Sequence, residues 1–244
     1  MTYDEEFREA LTFSRSENFL VPAFSPATGR FITPSTADLL LKMFSDFTNG
    51  GRNQELLCGQ CVGVAMRLSK RLRDELGWTA FVTIGKLSRT NKVLFNCSQE
   101  DVRRWKKDGM DDLLNMPLHA WITLPSMELI DFTYRASVNV LDELNEPAAF
   151  DAGHWAHFLP SRYNPIAVGD NIAELLGIPI YFMAVSRLWQ TLSDWKEIPY
   201  QNFQDTGSPW PGDPARAGTT GLSPPATPSE GIGCCPECPR PAPF

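Results

Sequence analysis

The stretch that decides the fold is HAWITLPSMELIDFT, residues 119–133. Two runs of strand-forming residues, HAWITL and ELIDFT, flank Pro125 and Ser126, which read as a turn. His119 and Asp131 each lie six residues from Pro125. A three- or five-residue hairpin loop centred on Pro125 therefore sets them directly across the ladder, side chains on one face. The same register gathers Ala120, Ile122, Leu124, Ile130 and Phe132 on the opposite face as a core surface. A one-residue slip would turn that apolar set to the wrong side and separate the pair. The hydrophobic pattern thus selects a register that builds a His–Asp pair.

Upstream, CGQCVGVAMRLSKRL (residues 58–72) opens a predicted amphipathic helix over 60–76, ended by Gly77. Val64, Ala65, Leu68, Leu72 and Leu76 recur at three- and four-residue spacing, while Arg67, Lys70, Arg71 and Asp74 face away. Cys61 falls in the first turn. There the positive end of the helix dipole and unpaired backbone N–H groups favour a thiolate. The same N–H groups suit an oxyanion formed when that thiolate attacks a carbonyl. A cysteine nucleophile also needs a histidine base and an acceptor to orient it, and the chain has only three histidines. His119 with Asp131 supplies both. Trp121 shares the face of His119, where it either walls the site from water or packs in the core. His154 and His157, in the aromatic-rich stretch AGHWAHFLPSRYN (152–164), read as loop residues or as a second candidate base.

Other readings of Cys58 and Cys61 compete. A dithiol redox pair needs a buried strand ahead of the helix, and GGRNQELL (50–57) reads as a loop. A zinc site needs four ligands, and the remaining candidates, Cys235 and Cys238, lie far along the chain. A buried structural pair is the third alternative. Cys97 reads as a small buried hydrophobe.

Elsewhere, helices are predicted over residues 4–12, 34–51 and 98–107, the second capped by Ser35 and closed by Gly50 and Gly51. Residues 79–87 and 92–97 read as two strands joined by a polar turn. Residues 170–176, 178–185 and 186–195 read as helix, buried strand and helix. Mostly antiparallel strands behind one long helix predict an α+β domain over 1–205. From 206 to 244 the chain is rich in Gly, Pro, Ser and Thr, which predicts a disordered tail. Its CCPEC cluster (234–238) reads as stray oxidation-prone cysteines rather than a metal site.

The chain carries a net charge of −7 with 43% hydrophobic residues, ordinary for a globular domain and unsuited to nucleic-acid binding. The start, MTYDEEFREALTF, is no secretory signal. LLGIPIYFMAV (175–185) is too short and proline-interrupted to span a bilayer. A cytoplasmic protein without membrane attachment is expected, with signal-independent export left open. Six cysteines do not make a disulfide scaffold.

Together these residues resemble the transglutaminase-like superfamily. Gly59-Gln60-Cys61-Val62-Gly63-Val64-Ala65 is similar to the GQCxxxA signature around that family's nucleophile. His119-Ala120-Trp121 matches its strand-opening H-x-W, and Ile130-Asp131-Phe132-Thr133 its I-D-x-T-like strand end. The resemblance spans roughly residues 58–133. It implies a papain-like core, with the nucleophile helix packed on a mostly antiparallel sheet that carries His and Asp. It also implies that Cys61 attacks an amide or ester carbonyl to give a thioester. In that chemistry His119 carries the proton and Asp131 orients the ring. The acyl group then passes to water, as in a peptidase or deamidase, or to an amine. The implied partner is a protein or peptide substrate, with no metal or cofactor. Val62 stands where animal transglutaminases carry tryptophan, so their substrate channel is not carried over. CGQC is also similar to the CGSC of papain-type proteases, whose distant His and Asn find no clear match. Gln54 and Gln60 are the candidates for a second oxyanion donor. The alternatives are a thiol–disulfide oxidoreductase using the CGQC pair and a non-catalytic binding module on the same fold.

Overall fold

Five successive buried residues, Phe81 to Gly85, make β1 (Phe81–Arg89) a strand covered on both faces, and the sheet is built around it. The computed structural model describes residues 1–48, 50, 57–90, 92–110, 116–141 and 149–178, all within one compact unit, Met1–Asp194. The predicted strand over 178–185, the helix over 186–195, the domain end at 205 and the tail over 206–244 lie largely or wholly outside the described residues.

β1 pairs antiparallel with β3 (His119–Thr123) along its first half and with β2 (Lys92–Phe95) along its end. Its other edge carries β6 (Ser161–Val168), also antiparallel. Beyond β3 come β4 (Glu128–Asp131) and β5 (Asp151–His154), giving the path β2-β1-β3-β4-β5 with β6 on β1. The described residues thus form an α+β fold with a six-stranded antiparallel sheet.

Alternation along β1 separates two cores. Val82 and Ile84 join Ala120, Ile122 and Ile130 beneath α3 (Cys61–Leu76) and α2 (Pro34–Thr48), whose Leu68, Leu72, Leu40 and Phe44 fill this side. Phe81 and Leu87 join Trp121, Leu129 and Tyr163 beneath α1 (Tyr3–Ser16), which contributes Tyr3, Phe7 and Leu11. Ala120, Ile122, Leu124, Ile130 and Phe132 all occupy the first core, as their alternation predicts.

The hairpin register differs from expectation by two residues. Ile122 pairs with Ile130 and Thr123 with Leu129, so the loop centres on Ser126 rather than Pro125. The turn chemistry explains the shift. Pro125 takes the second position of a β-turn, closed by the Met127 N–H donating to the Leu124 carbonyl at 2.9 Å, where its fixed φ is favourable. Met127 follows at φ 63°, the left-handed residue that completes a three-residue hairpin loop. A two-residue shift preserves every side chain's face. His119 and Asp131 therefore stay together, as diagonal neighbours instead of direct partners.

Several helix boundaries move. α1 runs to Ser16, beyond the expected residue 12, starting from a capping box between Thr2 and Glu5. α2 starts after Thr33, not Ser35: the Ala37 N–H donates to the Thr33 carbonyl, and Thr33 and Thr36 exchange side chain–backbone bonds. Gly50 (φ 71°) follows α2 with its N–H on the Ser45 carbonyl; Gly51 lies outside the described residues. Gly77 closes α3 in the left-handed conformation, as expected. α4 (Gln99–Asp108) is capped by Ser98.

The stretch 152–164 is not a loop. It holds β5, a 3₁₀ turn (Trp155–Phe158) and the start of β6. Pro165 obscures the strand in the sequence; it lies opposite Gly85, where the β1–β6 register is irregular, a place that tolerates proline. Two short helices, α5 (Tyr134–Leu141) and α6 (Ile172–Leu175), follow β4 and β6. α5 was not foreseen, and α6 falls inside the helix expected over 170–176.

Candidate active site

His119 and Asp131 form a buried ion pair, Nε2 to Oδ2 at 2.6 Å, with both side chains wholly shielded from solvent. Asp131 ends β4, and the chain turns there into α5. That turn wraps the carboxylate. Its Oδ1 accepts from the Thr133 N–H (2.9 Å), the Thr133 hydroxyl (3.0 Å) and the Tyr134 N–H (2.9 Å). Oδ2 accepts from His119 and, at 3.0 Å, from the Tyr163 hydroxyl.

Cys61 is the first residue of α3, and no side chain caps that helix. The N–H groups of the first turn, which helix geometry leaves without intrahelical acceptors, therefore have no competing cap. α3 packs on the opposite face of the sheet from the His119 side chain, and Cys61 itself belongs to that core. The two meet at the end of the strand. The Cys61 sulfur lies 3.9 Å from the carbonyl oxygen of Leu118, the residue before β3. The thiol is near enough to His119 to strengthen the ring's hold on its proton. His119 Nδ1, the nitrogen not engaged by Asp131, is buried without a hydrogen-bond partner. The sulfur thus borders the imidazole while pointing its weak bond at a backbone carbonyl, and Nδ1 is the ring nitrogen left for it.

The electrostatics follow from burial and pairing. Burial disfavours a charged imidazole, but the charge and hydrogen bond of Asp131, followed by Cys61, outweigh it and raise the His119 pKa to about 10. Burial likewise pushes Asp131 up, but the His119 charge and hydrogen bond, with the Thr133 donors, hold it below the ordinary carboxylate value.

Aromatic rings fix the imidazole plane. The Phe95 ring stacks at 5.0 Å and 26°, and Trp121 at 6.2 Å and 25°. Register places the two on either side of His119. Gly85 is the partner of His119 and Leu87 that of Phe95, so β2 brings Phe95 to the position two residues before the histidine. Trp121 is held in turn by its indole N–H donating to the Tyr3 hydroxyl at 2.9 Å, and Tyr3 bonds Thr123 at 2.6 Å. Trp121 thus both packs in the core and walls the site. Gly85 is required here: a Cβ would meet the Asn164 carbonyl oxygen at 2.0 Å and the Trp121 ring at 3.0 Å.

Cys61, His119 and Asp131 are therefore brought together. Cys58 is half-buried, and among the described residues no disulfide joins Cys58, Cys61 or Cys97. Cys97 is buried, and burial, then Asp101, pushes its thiol up to about 12, fitting an inert core cysteine. His154 pairs with Glu128 at the end of β4 remote from Asp131, three residues or about 10 Å along the strand. Neither it nor His157, in the following 3₁₀ turn, joins Cys61 as a second base. Gln60 is the residue preceding α3; Gln54, Cys235 and Cys238 lie outside the described residues. Among the described residues no cluster of His, Cys, Asp or Glu could hold a metal, and no helix is long and apolar enough to cross a membrane.

The sequence reasoning missed Tyr163 and Phe95. Pro165 masked the alternation that would have revealed Tyr163 as an inward strand residue. Phe95 had no local signal, because its contact depends on β2 and β3 sharing one edge of β1.

No family model, curated protein or solved structure matches this chain.

Proposed function

We propose that the protein is a cysteine-dependent acyl-transfer enzyme acting on peptide or glutamine amide bonds through Cys61, His119 and Asp131. The supporting observation is the buried 2.6 Å His119–Asp131 pair with an open Nδ1 beside the Cys61 thiol at an uncapped helix start. In this reading the core is papain-like and of the transglutaminase-like type. The working state requires a reduced Cys61, which suits the cytoplasm.

The steps are these. The proton of Cys61 resides on His119 Nδ1 in the reactive thiolate–imidazolium pair, and the sulfur attacks the amide carbonyl carbon. The oxyanion that forms is met by N–H groups at the start of α3. Collapse breaks the C–N bond, and the leaving amine or ammonia takes the proton from His119, leaving a thioester. Water or an acceptor amine then attacks the thioester while His119 takes its proton; the C–S bond breaks to release product, and His119 shares that proton with the departing Cys61 sulfur, restoring the starting pair. Asp131 keeps the ring in orientation and stabilises the imidazolium in both halves.

The test is labelling with an electrophilic amide mimic, followed by peptide mapping. Modification is expected at Cys61, lost in Cys61→Ala, strongly slowed in His119→Gln and retained in Cys58→Ser. Equal labelling of Cys61 in wild type and His119→Gln would remove the imidazole from the mechanism. Loss of labelling in Cys58→Ser would favour dithiol chemistry instead.

A further inference from the structure

The two oxygens of Asp131 are held in different ways. Oδ1 is bonded by groups two and three residues along the same chain, which fix the carboxylate to its own turn. Oδ2 is bonded from two other strands: His119 on β3 at 2.6 Å and Tyr163 on β6 at 3.0 Å. β6 and β3 lie on opposite edges of β1, so the phenol ties this carboxylate to a strand its local turn does not reach. The Tyr163 ring is buried, with its edge to Trp121 at 5.0 Å and 6.3 Å from the imidazole. Among strand residues of its stretch it is the inward-facing member with a donor aimed at the triad.

We propose that Tyr163 is a positioning residue of the site: its hydroxyl locks Asp131 Oδ2 and shares that oxygen's charge with the His119 ring, limiting how tightly the imidazole holds its proton. The inference rests on the triad reading above for its catalytic meaning, but the hydrogen-bond effect itself is measurable without catalysis. A neutral donor on a carboxylate spreads the anionic charge. Without it, the charge on Oδ2 is available to His119 alone, and the imidazolium is stabilised further. A base that grips its proton too tightly returns it poorly to a leaving group. Burial, then the charges of Asp131 and Asp151, raises the phenol well above the ordinary tyrosine value, so it remains a donor over the working range.

The other charged and titratable groups facing this pair are few. Cys61 comes from α3, and Tyr134 and Arg135 from α5. β5 contributes Asp151, bonded to Arg135 at 3.2 Å, and β1 contributes Arg89, whose charge reaches Tyr134. Tyr134 bonds Ser161 and does not touch the Asp131 carboxylate through its hydroxyl.

The experiment is an NMR titration of the His119 ring, read against the other two histidines, in the full chain. Tyr163→Phe should shift the His119 midpoint upward by about half a pH unit, roughly a threefold change in the imidazolium ratio. Fluorotyrosine placed at position 163 by stop-codon suppression is a stronger donor of the same shape and should shift it downward; this variant keeps the test decisive if Tyr163→Phe folds poorly. Thr133→Val, which strips a donor from Oδ1, should move the midpoint less than Tyr163→Phe. The pH profile of Cys61 alkylation by iodoacetamide should follow the NMR shifts. An unmoved midpoint in both position-163 variants, or shifts of the same sign, overturns the proposal. A midpoint that moves as stated while His119→Gln leaves Cys61 labelling unchanged supports the Tyr163 bond and removes the triad reading instead.

Discussion

The two faces of the sheet are built from the same strands and differ in kind. Beneath α2 and α3, the buried side chains are almost all aliphatic or phenylalanine: Leu40, Phe44, Leu68, Leu72, Ile84, Ile122 and Ile130. Beneath α1, aromatic rings surround buried polar groups. Tyr3, Thr123, Thr83 and Trp121 form one hydrogen-bonded chain, and His119, Asp131, Thr133 and Tyr163 form another. The first face is held by non-directional burial, which tolerates volume-conserving change. The second is held by directional bonds, where an orphaned partner costs far more than the bond contributes. The proposed chemistry thus draws on the polar face, with Cys61 brought round from the aliphatic side.

The sharpest way to break this contrast is at the ion pair. Asp131→Asn should lower unfolding stability by about 4 kcal/mol, because the imidazolium loses its buried counter-charge. It should also suppress Cys61 labelling; urea denaturation and labelling kinetics read the two effects separately. Leu72→Ala on the aliphatic face should cost about 3 kcal/mol. Yet it should leave the labelling rate per folded molecule unchanged, and a parallel loss of reactivity would show that the faces are not separable.

The pH dependence sharpens the same point. His119 is raised, so its contribution is fully present below about pH 6.5 and fades as pH climbs through about 10. Asp131 is lowered, so its contribution is present above its ordinary value of 3.8 and is lost as pH falls below that. The stability excess of wild type over His119→Gln should therefore peak between about pH 4 and 6.5 and shrink on either side. A difference that stays flat from about pH 3 to about pH 10, in thermal melts, would mean that the pair contributes packing and no charge.

Smaller effects test the supports. Tyr3→Phe leaves the Trp121 indole without its acceptor and should cost about 1.5 kcal/mol, with a modest change in Cys61 labelling as Trp121 loosens beside His119. Ser98→Ala removes the α4 cap and should cost about 1 kcal/mol with no change in labelling, since the buried side chains of α4, Val102 and Trp105, belong to the aliphatic core.

The site was unevenly legible in the sequence. Alternation in HAWITL and ELIDFT placed His119 and Asp131 on one face, and that inference survived a register two residues from the expected one. It survived because a strand's period is two, so only an odd slip moves a side chain to the other face. Helix periodicity after Cys61 and the closing Gly77 placed the thiol at a helix start. β5 and β6 were illegible for a stated reason: the stretch mixes a 3₁₀ turn, Gly153 and Pro165 with short strands, so no period persists long enough to read. Thr33 lost to Ser35 in the cap assignment because several hydroxyls lie together, and only backbone direction distinguishes them.

By itself the sequence determined which residues alternate, where α3 begins and ends, and that a histidine and an aspartate share a strand-pair face. These follow from local periodicities of the chain, which neighbouring residues impose on one another. Only the tertiary structure decided that the Cys61 sulfur reaches the end of β3 from the opposite face, that Phe95 and Trp121 bracket the imidazole, and that Tyr163 closes on Asp131. Those contacts join strands and helices distant in the chain, and their geometry is set by sheet order and packing, quantities that no local pattern contains.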